Sequence, residues 1–311
     1  MDVFTHGLLG LTVGRVKGPE QGPTPRAVAW AAVLASLAPD LDVFYGRNEA
    51  LAAFKYHRAY THSFLLAPLM AAAVTGVVKL AFPKARPLPV YGFSLLSLLL
   101  AHIVPDIWTG WGTMALLPFS SVRLGLDWVS IVDPLLTGLV VAALLWGRLR
   151  PGVRRQAALA GLVAVYAYVG MRGVQAQVLR ARVAAAYPAA SRIQVWPTFN
   201  SFGAWQYAAE LSGTYATGRV GPWSGVAQDQ ELPAADNPRV LEALRRSPDL
   251  TPLLRFARFP LVISQTLPDG SLAVSIQDLR YNYARYRAVL GAGLELRGLE
   301  VERVRLHFGH R

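Results

Sequence analysis

The residues best able to do chemistry are imidazoles and carboxylates set in or beside apolar runs. Ala38-Pro39-Asp40-Leu41-Asp42 ends one such run. Carboxylates two residues apart cannot share one face of a regular helix, but proline disturbs the turn and lets both reach one centre. A polar helix end that simply meets water is the alternative. His57-Arg58-Ala59-Tyr60-Thr61-His62-Ser63 suits a loop or helix N-terminus in which both imidazoles turn toward a metal, with Thr61 and Ser63 placed to cap or orient them. His, Arg and Tyr are also ordinary residues of a membrane interface. In His102-Ile103-Val104-Pro105-Asp106 the i, i+4 spacing sets imidazole and carboxylate on one helical face, which serves either a two-ligand contribution to a metal or a structural His–Asp hydrogen bond. Asp133, followed by Pro134, can be a ligand, a carboxylate that orients one, or the negative charge at a helix start. Asp127 reads as a surface residue. A central Asp in a membrane helix costs roughly 2.5–3.5 kcal/mol, so such groups are expected to be paired and to have a function.

The chain contains no cysteine. That excludes a disulfide scaffold, thiol catalysis, an iron–sulfur cluster and any zinc site built on thiolates. A metal must therefore sit on His, Asp and Glu, a donor set that suits Zn, Mn or Fe, of which Zn is the commonest for hydrolysis. One or two such ions would bring the pKa of a bound water toward about 7 and polarise a phosphoryl or acyl oxygen. A proton relay or an ion-transport site would use similar residues.

The elements that must position these groups are those of a membrane protein. The 311 residues are 53% hydrophobic and only 16% charged, with a mean hydropathy of +0.32. Apolar segments run over about 3–14, 27–45, 64–82, 88–107, 130–147 and 157–174. The Gly- and Pro-rich linker from Arg15 to Arg26 reads as a turn between two antiparallel helices, which brings His6 near Asp40 and Asp42. Cations concentrate in alternate connections: Arg15, Lys17, Arg26, Lys79, Lys84, Arg86, Arg148, Arg150, Arg154 and Arg155 on one side, against Arg47, Lys55, Arg58 and Arg123 on the other. Positive-inside logic makes the first side cytoplasmic, so that six spans leave both termini and the loops 46–63 and 108–129 facing outward. No cleavable signal peptide is read in residues 1–26, because the charges follow the first apolar run. The formal charge of +12 comes with no dense basic run interleaved with aromatics, so direct nucleic-acid binding is not expected.

After residue 177 the texture changes to short β-like runs at Arg192–Phe199, Trp205–Leu211, Leu261–Thr266, Ser271–Gln277 and Arg303–Phe308, with helices expected at Pro238–Arg246 and near Ser224–Leu232. The fold class expected is an α-helical membrane bundle of about six transmembrane helices, residues 1–176, carrying the metal site. A soluble, β-rich or α+β domain follows over residues 177–311, outside the cytoplasm.

The order of Thr5-His6, Pro39-Asp40-Leu41-Asp42, the His57 to Ser63 block, His102 to Asp106 and Ile131-Val132-Asp133-Pro134 resembles the bacterial and archaeal family of membrane-bound metal-dependent hydrolases, also labelled LexA-binding, inner-membrane-associated hydrolases. The resemblance covers residues 1 to about 140. It includes Gly112-Thr113 and Pro118-Phe119 and reaches faintly to Pro197 and Asn200–Trp205, while Ala59 stands where the family commonly has Gly. It implies that His6, Asp40, Asp42, His57, His62, His102, Asp106 and Asp133 are metal ligands or groups that orient them. By analogy with helical zinc phospholipases, it makes a phosphoester a plausible substrate.

The function expected is an integral membrane hydrolase of the cytoplasmic (inner) membrane, acting on a lipid or lipid-linked phosphoester at the outer face. Hydroxide on the metal would attack, while Asp40 or Asp42 orients it or takes its proton. The outer domain would shield the site or select substrate. Arg58 and Arg123 offer planar forks for a lipid phosphate and are equally ordinary interface cations. Trp108, Trp111, Trp128 and Tyr60 read as aromatic belt, and His307 and His310 as surface. A metal or proton carrier, or a scaffold whose outer domain binds a partner, is the competing expectation. A transporter would need polar residues in both halves of the membrane, whereas the cytoplasmic halves of the third, fifth and sixth segments are Ala, Val, Leu and Gly apart from Lys79.

Overall fold

The computed structural model describes residues 1–17, 22–46, 49, 51–198, 203–281, 290–297 and 300–308. Arg47, Phe199, His310 and the Asn200–Phe202 part of the faint resemblance lie outside them, as do the side chains of 300–308, including His307. The chain divides into two compact units, one of Met1–Tyr45 with Tyr56–Ala176, the other of Gly46–Lys55 with Gln177–Arg311.

The first unit is helical. Helices α1 (Val3–Arg15) and α2 (Thr24–Leu37) form the hairpin, and α2 continues into a 3-10 turn at Ala38–Phe44. A short α3 (Ala52–Lys55), which belongs to the second unit, precedes a 3-10 turn at Tyr60–His62. Next come α4 (Ala67–Ala81) and α5 (Pro87–Ser97), then a π-helical stretch at Leu98–Ile103 that runs into α6 (Val104–Ile107). Helices α7 (Pro134–Leu149) and α8 (Arg154–Ala186), the latter counted to the second unit from Gln177 on, close the series.

Side-chain size decides how closely the helices approach. A Cβ on Gly10 would stand 2.2 Å from Ser36 Oγ and 2.7 Å from the Ala32 carbonyl oxygen, and one on Gly14 would stand 2.9 Å from Ala29 Cα. On the facing side α2 presents Ala27, Ala31, Ala32 and Ala35, all fully buried. Small residues four apart on one helix against alanines on the next are how helices associate in lipid, where the hydrophobic effect does not drive them together. The same device joins α7 to α8, where a Cβ on Gly161 would meet Ala143 Cβ at 2.4 Å. Large apolar side chains point away from this packing instead: Leu69, Val77 and Leu80 on α4, Leu145 and Leu149 on α7, Val163 and Val174 on α8 are exposed. Such an apolar exterior suits lipid.

Among the described residues the expected six spans are corrected to three, or four. Thr24–Phe44, Pro87–Ile107 and Pro151–Ala186 are long and apolar enough to cross a membrane, and Ala52–His62 with Ala67–Ala81 forms a pair bent by 79° that can count as one more. The 13 residues of α1 and the 16 of α7 reach only about 20 and 24 Å at 1.5 Å per residue, short of the roughly 30 Å hydrocarbon core.

The second unit carries two antiparallel meanders. The first is β1 (Arg192–Pro197), β2 (Trp205–Glu210), β3 (Thr214–Val220) and β4 (Val226–Pro233), in that order. Helices α9 (Pro238–Arg246) and α10 (Thr251–Phe256) precede the second, made of β5 (Pro260–Thr266), β6 (Leu272–Asp278), β7 (Leu290–Arg297) and β8 (Glu300–Phe308). The helix expected near Ser224–Leu232 is the strand β4. Its Gln and Glu residues have fair helix propensity, but pairing with β3 prevails, with a bulge at Thr217/Gly218 where a Cβ on Gly218 would lie 2.0 Å from the Ala227 carbonyl oxygen. Trp196, Ala208, Tyr215, Phe259, Leu261 and Leu279 form a core of this unit. Phe54 of α3 lies against Phe256, with ring centroids 4.8 Å apart.

Filling the α1–α2 contact should be costly. Gly10→Ala is expected to destabilise the protein by about 1–3 kcal/mol, the usual cost of overpacking, read as a lowered midpoint of thermal unfolding in detergent. Gly76→Ala, where a Cβ meets nothing within 4 Å, should leave the midpoint unchanged or slightly raised.

Candidate metal centre

Two helix irregularities, one containing Pro39 and the other running into Pro105, build the site. In the 3-10 register after α2, the Ser36 carbonyl would take its hydrogen bond from residue 39, which is proline and has no N–H. That carbonyl instead accepts from His102 Nδ1 at 2.6 Å. One helical turn beyond Ala101 stands Pro105, equally without a donor, and the Ala101 carbonyl accepts from His6 Nδ1 at 2.6 Å. A carbonyl oxygen can only accept, so both rings donate through Nδ1 and turn Nε2 the other way, His102 presenting its Nε2 lone pair to the centre.

His62 is turned by a third device. Its Nδ1 lies 2.9 Å from Thr61 Oγ1 and 3.3 Å from Asp42 Oδ2. Thr61 donates its own hydroxyl to that same Asp42 oxygen at 2.7 Å. The Thr61 oxygen is therefore left to accept from His62 Nδ1–H, and the His62 Nε2 lone pair also points inward.

The lone pairs converge. His62 Nε2 and His102 Nε2 stand 2.9 Å apart. Asp40 Oδ1 lies 3.6 Å from each of them, and Asp106 Oδ2 lies 3.3 Å from His62 Nε2 and 3.5 Å from His102 Nε2. One donor atom from each of Asp40, His62, His102 and Asp106 falls within 4.8 Å of every other. His62, His102 and Asp106 are fully buried, while the Asp40 side chain keeps 13% of its surface open. Asp106 Oδ2 is buried and accepts no hydrogen bond among the described residues.

Four electron-pair donors facing one another in a dry pocket repel unless a cation lies between them, and an orphaned buried carboxylate oxygen costs free energy. Two imidazoles with two carboxylates are a fitting set for Zn, and also for Mn or Fe. The donors thus fit a divalent ion, with Asp40, His62, His102 and Asp106 as the residues that would hold it.

The other expected site residues take different places. His6 stacks on His102, with ring centroids 4.1 Å apart, and turns its Nε2 to Asp106 Oδ1 at 3.1 Å. It borders the group of four from the far side of Asp106. Asp42 is spent on orientation: Oδ1 lies 2.6 Å from His57 Nδ1, and Oδ2 accepts from the Arg58 backbone N–H and Thr61. His57 is thereby held outside the group of four, edge-on to Trp111 at 5.9 Å.

Asp133 is not brought to the centre. It caps α7, accepting from the Leu135 and Leu136 N–H groups with Oδ1 and from the Tyr168 hydroxyl with Oδ2. An Asp before Pro at a helix start fits that role by itself. Asp127, expected at the surface, is buried at 2% exposure with a positive φ of 54°.

The two arginines also differ from expectation. Arg58 is 3% exposed, and its guanidinium lies 3.0 Å from Asp106 Oδ1 and 3.1 Å from Thr109 Oγ1, so it does not face a lipid phosphate. Arg123 donates to the His57 carbonyl at 3.1 Å. The carbonyls of Ser36 and Ala101, and Thr109, are the functional groups that motif spacing missed. The prolines after the first two were the available signal.

Because Asp42 holds both His57 and His62, Asp42→Asn should weaken metal binding about 10–100-fold, the usual effect of losing an orienting carboxylate. The binding stoichiometry at saturation should stay unchanged. Competition with a chromophoric chelator measures both.

Comparison with known proteins agrees with the helical half. A relative from Bacillus subtilis (strain 168), described as an uncharacterized protein, YfhP, is 30% identical over 140 residues. That match covers 43% of this chain and 42% of the relative, so the chain spans less than half the length of the relative it matches. No solved structure matches. Residues 1–179, more than half of the chain and all of the donors described above, match the family model described as YdjM inner membrane protein, and the chain belongs to that inner membrane family.

Proposed function

We propose that this protein is a metal-dependent hydrolase of the inner membrane that acts on a lipid or lipid-linked phosphoester. The observation that carries the reading is the meeting of two bare imidazole nitrogens 2.9 Å apart with one oxygen from each of two carboxylates. A divalent ion held there, with Zn the leading candidate, would polarise a phosphoryl oxygen and acidify a water.

The chain's own residues divide the remaining work. His62, His102 and Asp106 are buried and locked, so they hold rather than move. Asp40 is the donor with an open edge, and it is the carboxylate placed to orient a water or take its proton. Asp42, filled with hydrogen bonds, positions the imidazoles. The mouth suits an amphiphile: Leu41, Phe44 and Tyr60, beside the donors in sequence, are 63%, 62% and 59% exposed.

The site end of the bundle faces outward in this reading, in which α1 and α7, though short of a full span, still carry the chain from one end of the bundle to the other: Thr5 meets Thr137 at the donor end and Arg15 meets the Leu144 carbonyl at the opposite end. The helix ends remote from the donors carry Arg15, Lys17, Arg26, Lys79, Lys84, Arg86, Arg148, Arg150, Arg154 and Arg155. On the donor side, Arg58 and Arg123 are engaged internally. The positive-inside rule then sets the donors, and the end of α8 that leads to the second unit, away from the cytoplasm.

Elemental analysis of purified wild type beside Asp40→Ala and His102→Ala tests the centre. Wild type should carry metal and both variants should lose most of it, with hydrolysis of a phospholipid and prenyl-phosphate panel lost in parallel. Equal metal in all three removes the site. Metal bound without turnover of any phosphoester would favour a carrier or scaffold. For orientation, a reporter fused after residue 311 should be active outside the cytoplasm, and a cytoplasmic reporter would reverse the assignment.

A further inference from the structure

Asp106 is shaped to serve two cations. Its Oδ2 faces the group of four. Its Oδ1 points the other way, toward His6 Nε2 at 3.1 Å. His6 gives its Nδ1–H to the Ala101 carbonyl, so Nε2 is the nitrogen it turns to that oxygen. A carboxylate with one oxygen on each of two donor groups is what a bridging ligand between two metal ions looks like.

The second place is already filled. The Arg58 guanidinium lies 3.0 Å from Asp106 Oδ1 through one Nη and 3.1 Å from Thr109 Oγ1 through the other. The Met1 nitrogen also meets Asp106 Oδ1. Arg58 reaches this position at a backbone cost: its φ is +60°, in the left-handed region that residues with a Cβ seldom enter. Two hydrogen bonds hold it there, from its N–H to Asp42 Oδ2 at 2.9 Å and from Met114 N–H to its carbonyl at 2.9 Å. Strain that the surroundings over-determine, at the edge of a donor cluster, marks a placed group. A guanidinium never loses its charge, so the place is occupied at every working pH.

We propose that Arg58 is a built-in second cation, bridged by Asp106 to the metal, and that the centre therefore binds a single divalent ion. This rests on the metal-centre reading above and replaces a substrate-binding role for Arg58. Arg58 acts as a positioning residue, holding Oδ1 so that Oδ2 is the one oxygen Asp106 offers to the ion.

The test counts zinc. Full-length protein, stripped with chelator, loaded with excess Zn²⁺ and desalted, is measured for Zn per chain by elemental analysis, with thermal unfolding as the check on folding. Wild type and Arg58→Lys should hold one. Arg58→Ala, which takes away the guanidinium and leaves His6 and the Met1 nitrogen at Oδ1, should rise above one toward two, and adding His6→Ala should return it to one. Two ions in wild type overturn the proposal, as does a folded Arg58→Ala that stays at one or falls to none. If Arg58→Ala does not fold, the wild-type and Arg58→Lys counts decide, and a value other than one in either refutes it. No zinc in wild type removes the metal centre itself, an outcome distinct from a count of two.

Discussion

Everything in the first unit is arranged around lone pairs that would repel one another in isolation. A buried imidazole is amphoteric, and which nitrogen faces the centre depends on what grips the other one. Here the grip comes from backbone carbonyls for His6 and His102 and from a Thr–Asp relay for His62. Those acceptors leave the Nε2 atoms directed inward. Two carboxylates complete a pocket of negative potential where water has been largely excluded, and a divalent cation is the natural neutralising partner.

The prolines explain how a helix can supply such grips. In an unbroken helix interior each carbonyl is taken by the N–H four residues on, and nothing remains for a side chain. Pro105 withholds that donor from Ala101, and Pro39 withholds from Ser36 the 3-10 donor three residues on, so Asp40 and Asp106 each follow directly after a proline that frees a carbonyl. The 3-10 turn at Ala38–Phe44 and the π-helical stretch at Leu98–Ile103 accompany these breaks. Within a membrane, backbone groups released from a helix must find partners inside the protein, and the imidazoles provide them.

Close helix packing is the second requirement. His6 on α1, His102 beside α5 and Asp40 after α2 meet because Gly10 and Gly14 let α1 lie almost backbone to backbone on α2. An additional methyl group at that contact would displace His6 by a fraction of an ångström or more. A hydrogen bond of 2.6 Å tolerates little of that. The short helices α1 and α7 act as packing and capping elements in this bundle, and their modest length is compatible with that role.

Much of the site could be read from residue types alone. Ionisable groups in apolar segments are expensive, so Asp40, His62, His102 and Asp106 stood out without any geometry. The β-rich texture of the later residues was equally open to reading, because period-two alternation with Gly and Pro punctuation is a local property. What spacing could not supply was direction. It could not separate His57, turned to Asp42, from His62, turned to the centre, since both sit in one heptapeptide and only the acceptor for Nδ1 distinguishes them. It could not tell that Asp133 would cap α7 or that Asp127 and Arg58 would be buried. It overcounted spans because apolar composition reports burial in protein and burial in lipid alike, whereas helix length decides which. Residue chemistry is written along the chain. The orientation of each donor atom depends on distant backbone carbonyls, and only the folded helices bring those within reach.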